Sequence, residues 1–268
     1  MSLQVRDLVK HFDGVKAVNG VSFDVQPGEC VALIGPNGAG KSTCFAGIAG
    51  QQPLTSGQVV WNQQRIDHLP VQKRLQSGVA RTFQVAQTFE ALTALQNVQL
   101  ALGRGQALSV WKNIDARHTQ AAGALLDKLD LLLLADTDVL GLPYGAKKRL
   151  ELAVALAGVD AALGAGPSPC LLLLDEPAAG LAAAERAQLM KRVKALAASS
   201  TSPTTSPSSP AMAVLYTEHN MDAVFGVADR VLVLIDGQLA AAGTPDEVAR
   251  DPAVRSRYLG QKFEAQSR

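Results

Sequence analysis

The chain of 268 residues is short of several things, and each shortage excludes something. It has three cysteines, Cys30, Cys44 and Cys170, far apart and without a CxxC pair. A disulfide framework and a zinc site of that spacing are therefore excluded, and reduced thiols in a cytosolic setting are expected. Neither sign of charge is in excess, with 25 Lys and Arg against 24 Asp and Glu. Binding to nucleic acid by bulk charge is excluded, as is a long acidic tail, and no nucleic-acid partner is expected. There is no apolar run among residues 1–11, where Arg6, Asp7 and Lys10 interrupt, so no signal peptide is read there. The most apolar stretch, residues 152–174, is broken by Asp160, Gly164, Gly166, Pro167, Ser168 and Pro169. It reads as a helix end, a loop and a strand, not as a membrane span. Internal repeats and heptads are absent too.

What is present is apolar sequence, at 47% of residues, in a chain long enough to bury roughly three quarters of its unfolded surface. Strands are expected in residues 3–34, including a short apolar run at 30–34, then at 79–83, 171–174, 213–216 and 230–235. Helices are expected at 41–49, within 92–130, at 145–157 and at 182–198. In the second of these, Leu125, Leu126, Leu129, Leu132 and Leu133 fall at helical spacing. Asp236-Gly237 is the strongest hairpin signal in the chain. Residues 199–210 are only Ser, Thr and Pro, a composition expected of a surface insertion. Strands alternating with helices predict an α/β fold around a mainly parallel sheet.

Gly35, Pro36, Asn37, Gly38, Ala39, Gly40, Lys41 and Ser42 fit the phosphate-loop pattern G-x-x-x-x-G-K-[ST], with Thr43 next. The segment follows an apolar strand and opens a helix, the context this motif requires. Its glycines let backbone N–H groups turn toward phosphate oxygens at a helix N-terminus. Lys41 can reach the β- and γ-phosphates of ATP, and the Ser42 hydroxyl can ligate Mg2+. A second apolar run, Leu171 to Leu174, delivers Asp175 and Glu176 to a strand end. Asp175 is the expected Mg2+ carboxylate and Glu176 the expected general base toward water. Gln84, after the 79–83 strand, is placed to touch Mg2+ or the attacking water. His219, after the 213–216 strand, is placed to touch a γ-phosphate. Leu142-Pro143-Tyr144-Gly145 opens a helix carrying Lys147, Lys148 and Arg149, a second helix start able to meet phosphate.

In this order and spacing the set resembles the ATP-binding cassette (ABC) family. The variants Arg81-Thr82-Phe83-Gln84 and Leu142-Pro143-Tyr144-Gly145 are similar to those of the ATP-binding subunits of branched-chain amino acid importers. So are Glu218-His219-Asn220-Met221-Asp222, Gly243-Thr244-Pro245-Asp246-Glu247-Val248 and the ending Tyr258-Leu259-Gly260. The likeness spans residues 3–260. It implies a P-loop NTPase core, an N-terminal antiparallel β subdomain and an inserted helical subdomain at about 88–158. Together these make a single ABC ATPase domain over 1–260, with a tail at 261–268. It implies ATP and Mg2+ as cofactors, with Phe12 stacking on adenine. Gly35 to Thr43 would cradle phosphate, and Tyr144 and Gly145 would face a second cassette's nucleotide. It also implies membrane permease subunits, a second ATPase subunit, a separate solute-binding protein, and a place on the cytoplasmic face of the membrane. The solute would be a branched-chain or other hydrophobic amino acid. The alternatives are a urea or amide importer, a lipopolysaccharide exporter, or a soluble ABC ATPase outside transport. The chain departs from the family pattern at Pro143, Tyr144 and Ala146 in the signature and at Ala182 in the D-loop. Residues 161–169 and 199–210 look inserted.

Overall fold

The computed structural model describes residues 2–82, 88–103, 116–163, 170–198 and 212–260. Gln84, the 199–210 insertion and the 261–268 tail lie outside them. The apolar runs form strands: β3 (Cys30–Ile34) and β7 (Cys170–Asp175) are buried at every residue. Such runs suit the interior of a sheet covered on both faces. With β6 (Val79–Arg81), β8 (Met212–Thr217), β9 (Arg230–Ile235) and β10 (Gln238–Gly243) they form a six-stranded sheet, ordered β10-β9-β3-β8-β7-β6. Every pairing is parallel except β10 on β9. The β9–β10 hairpin turns at Asp236-Gly237, both at positive φ (52° and 74°), as a two-residue type I′ turn requires. Gly237 is fixed by space as well, since a Cβ there would stand 2.9 Å from the Ala17 carbonyl oxygen. Asn19 N–H donates to the Gly237 carbonyl at 2.8 Å, so the turn docks on β2 (Val15–Val25).

That strand belongs to the second sheet. With β1 (Leu3–Phe12), β4 (Ser56–Trp61) and β5 (Gln64–Arg65) it forms an antiparallel sheet ordered β2-β1-β4-β5. Helix α1 (Lys41–Ala49) lies in the core between the two sheets. Its Cys44, Phe45 and Ile48 share a fully buried cluster with Leu3 and Val5 of β1, Leu33 of β3 and Leu173 of β7. The opposite face of the parallel sheet makes the other core. There Leu172, Leu174 and Tyr216 meet Leu150 and Leu156 of α5 (Tyr144–Leu163) and Met190 of α6 (Ala183–Ala198). Successive β7 leucines thus go to alternate cores, the period of two that a doubly covered strand must have.

The remaining helices are short. Helix α2 (Val71–Gln76) precedes β6, and α3 (Ala94–Leu102) and α4 (Ala116–Lys128) pack on each other and on α5. After β8 come α7 (Met221–Phe225), α8 (Pro245–Arg250) and α9 (Pro252–Val254). One expectation fails at the end of α4. Leu132 and Leu133 do not continue its buried stripe but sit exposed in a 3-10 turn. The helix stops at Lys128, and Asp130 takes a left-handed φ of 54°. Short polar residues tolerate that conformation, so the chain turns before the next leucines can align. The 152–174 stretch divides as expected, into a helix ending at Leu163 and a strand from Cys170. Among the described residues no helix is long and apolar enough to cross a membrane.

Candidate functional site

The carboxyl ends of parallel strands are where open α/β sheets bind ligands. Here the ends of β3, β6, β7 and β8 carry Gly35, Arg81, Asp175 and Thr217, which opens onto Glu218 and His219. The phosphate loop leaves β3 through Gly35, Gly38 and Gly40, all at positive φ (150°, 80° and 96°). Two of these also stand against backbone. A Cβ on Gly35 would come within 2.0 Å of the Leu234 carbonyl oxygen, and one on Gly40 within 2.1 Å of that of Ala17. Pro36, Asn37 and Ala39 complete the turn, and Ser42 and Thr43 follow Lys41 in the first turn of α1. The Lys41 side chain folds back over this loop. Its Nζ donates to the Gly35 carbonyl at 2.7 Å and the Pro36 carbonyl at 2.9 Å. Burial lowers the ammonium pKa below its ordinary value, while the Glu176 and Asp175 charges oppose that shift. The loop thus holds a partly desolvated cation that the Glu176 and Asp175 carboxylates help keep charged.

Asp175 is almost wholly buried and both its oxygens are engaged. Oδ1 accepts from the Thr217 hydroxyl at 2.8 Å and Oδ2 from Arg81 Nη2 at 2.9 Å. Glu176 follows at a left-handed φ of 48°, a strained conformation for a residue with a Cβ. Its backbone N–H donates to the Thr217 hydroxyl oxygen at 3.1 Å. This ties the strained turn to β8. Glu176 Oε1 lies 2.8 Å from His219 Nε2, so the two expected catalytic side chains are in contact. Both are partly exposed, as a base that must reach water has to be. Glu218 is buried, with Oε1 accepting from Ala178 N–H at 2.9 Å and Oε2 from His219 N–H at 3.2 Å. Burial raises its carboxyl pKa, and these backbone donors offset part of that.

Three other expected site residues lie elsewhere. Phe12 is at the end of β1, partly exposed, with Lys10 Nζ 4.8 Å above its ring. Tyr144 and Gly145 open α5 and touch the turn after β7 and helix α6. The Tyr144 hydroxyl reaches the Ala179 carbonyl at 3.4 Å and its ring lies against Gly180, while Gly145 faces the Glu185 carboxylate. Three residues were not predicted as site members: Arg81, Thr217 and Glu218. Arg81 could have been suspected, since it ends a buried apolar strand on the same sheet edge as Asp175. Thr217 and Glu218 carry no such signal, because their role is to hold neighbours.

As for a metal, the nearby donors Ser42 and Asp175 are oxygens, suited to a hard cation such as Mg2+. Among the described residues no cluster of three or more His, Cys, Asp and Glu converges on a metal position.

Comparison with known proteins agrees with this geometry. Residues 18–179, more than half the chain, match the family described as ABC transporter. The chain is 33% identical to the high-affinity branched-chain amino acid transport ATP-binding protein LivG of Escherichia coli, across 97% of this chain and 98% of that one. It shows the same identity and coverage to BraF of Pseudomonas aeruginosa, which bears the same description. It is also 33% identical to the lipopolysaccharide export system ATP-binding protein LptB of Acidithiobacillus ferridurans, across 98% of each. Among solved structures, the ADP conformation of an ABC transporter's ATP-binding cassette superposes with a TM-score of 0.80 at 29% identity, covering 97% of this chain and 99% of that one. A nucleotide-free cassette gives 0.79 at 28%, covering 97% and 100%. A phosphate loop, an acidic strand end and a Glu–His pair on one sheet edge, in a chain matched along nearly its whole length, place this protein in the ABC transporter family, as one of its ATPases.

Proposed function

We propose that the chain is the ATP-hydrolysing subunit of an importer that takes up branched-chain or other hydrophobic amino acids through a membrane permease. The observation that carries the solute class is the near full-length identity to LivG and BraF. Gly35, Pro36, Asn37, Gly38, Ala39 and Gly40 form the turn that wraps the triphosphate, all but Pro36 offering a backbone N–H, and Lys41, Ser42 and Thr43 close on it from α1. Phe12 stacks on the adenine. Ser42, Asp175 and Gln84 would hold Mg2+, which would supply positive charge against that of the phosphates. Glu176 draws the proton from the attacking water, and His219, 2.8 Å away, steadies that carboxylate and meets the γ-phosphate. Tyr144 and Gly145 face the nucleotide of a second ATPase subunit, so the chain acts in a dimer docked on the cytoplasmic face of the membrane. A separate binding protein delivers the solute.

The likeness to LptB favours a second reading, a lipopolysaccharide exporter. One experiment separates the two. The chain is co-expressed with candidate membrane permease subunits, purified with what it binds, and reconstituted into proteoliposomes. ATP-driven uptake of leucine that requires a binding protein supports the import reading. ATP hydrolysis stimulated by lipopolysaccharide, with no amino acid movement, overturns it.

A further inference from the structure

Among the described residues, two with a buried polar atom lacking a partner, Arg81 and Glu151, line one cavity beside the site. The cavity, of about 310 Å³, lies between α1, α2, β6 and α5, and its walls include Ala49, Leu75, Val79 and Val154. Arg81 and Glu151 are among its polar members. The Arg81 guanidinium is held on two sides, by Asp175 through Nη2 and by Gln51 through Nη1, but its Nε is buried with no acceptor. The Glu151 side chain is 9% exposed; its Oε2 takes a long contact from Lys148 at 3.4 Å, and its Oε1 is buried with no donor. Glu151 also lines a second, smaller cavity with Thr82 and Asp175. Arg81 therefore pairs with the carboxylate that ends β7 and shares a cavity wall with a second buried carboxylate, that of Glu151 on α5.

We propose that Arg81 is a positioning residue with two seats: it covers Asp175 while the metal is absent and moves onto Glu151 Oε1 when Asp175 takes up metal with nucleotide. The proposal rests on Asp175 being the metal carboxylate. The reason to move is electrostatic. A guanidinium held against a metal-bound carboxylate faces a like charge at short range in a site of low dielectric. The reason to stop at Glu151 is that a buried acceptor left unpaired is costly, and Arg81 carries donors to satisfy it. The cavity supplies the room. Because Glu151 sits two turns into the helix that Tyr144 and Gly145 open, the second seat couples metal loading to the helix that faces the partner subunit's nucleotide.

The test is Mn2+ titration followed by electron paramagnetic resonance, on the full chain with saturating ADP, so that no turnover is involved. Asp175→Asn serves as the control. Arg81→Met removes the competing cation, and Mn2+ should bind about tenfold tighter, which corresponds to ~1.4 kcal/mol. Glu151→Gln removes the second seat's charge, and Mn2+ should bind several-fold more weakly. In the Arg81→Met background, Glu151→Gln should change nothing. If Arg81→Met proves unstable, Arg81→Lys replaces it in the same double cycle, where non-additivity is expected. An unchanged or weaker Mn2+ affinity in the Arg81 variant, or additive effects in the cycle, overturns the proposal. Mn2+ binding that Asp175→Asn fails to weaken overturns the metal reading instead.

Discussion

Glu176 and His219 touch, yet they have separable tasks, and that can be measured. Glu176→Gln keeps the size and the 2.8 Å neighbour but loses the proton acceptor. Steady-state hydrolysis should fall by roughly 10²–10⁴ while fluorescent-nucleotide affinity stays near wild type. A hydrolysis rate close to wild type would remove Glu176 from the role of base. The cysteines make a second prediction at this scale. Burial pushes Cys30, Cys44 and Cys170 each to about 12, from an ordinary 9.0. The folded thiols hold protons that the unfolded chain releases, so the sign is fixed: stability falls as pH rises from about 9 toward 12. Denaturant midpoints should drop across that window, less so in a Cys44→Ala variant. A thiol reagent at pH 8 should label none of the three until the chain unfolds. Which of these residues could be read in advance follows from what each does. Lys41, Asp175, Glu176 and His219 carry chemistry at fixed distances along the chain from a strand end, so sequence spacing reveals them. Arg81, Thr217 and Glu218 act by holding those residues across strands 40 or more positions apart, apart from Glu218 beside His219, and spacing does not reveal such contacts.

At the scale of elements, sequence was most legible where a segment had one reason for its conformation. The β3 and β7 runs are buried on both sides, so each reads as an unbroken apolar stretch and each was found within a residue. The Asp236-Gly237 turn was found because its backbone admits few other residues. The end of α4 is not legible in the leucine spacing, because its stop depends on Asp130 adopting a left-handed φ, which the leucines beyond it conceal. Helix α3 shows a local device that can be tested alone. Thr93 accepts from Gln96 N–H, and the Gln96 side chain accepts from Thr93 N–H, a complete capping box. Thr93→Ala should cost about 1 kcal/mol by chemical denaturation. It should leave nucleotide affinity unchanged, since α3 packs chiefly on α4 and α5. A marked change in affinity would mean that the helical layer reaches the site more directly than these contacts allow.

For the whole molecule, the departures at Pro143, Ala146 and Ala182 bear on pairing. Pro143 has no N–H, and the two alanines have no polar side chain, so a homodimer would present a depleted surface to both nucleotides. Hydrogen bonds to charged groups contribute ~1.5–3 kcal/mol each. Glu176→Gln protein alone, with saturating ATP and Mg2+, should therefore sediment mainly as monomer and dimerise when a second, fuller cassette is added. A stable homodimer with two equally active sites would contradict this. The place of α1 has a different consequence, one for how the fold breathes. Its first residues line the phosphate loop, while its Cys44, Phe45 and Ile48 are shared by both sheets. A ligand seated on its N-terminus is therefore wired to the opening equilibria of both sheets at once. At a hundred times its dissociation constant it adds about 2.7 kcal/mol to any opening that releases it. Amide exchange measured with and without ADP should slow in β1, β3 and β7 together and leave α3 and α4 little changed. The nucleotide then acts as a keystone that sets how often the two sheets come apart.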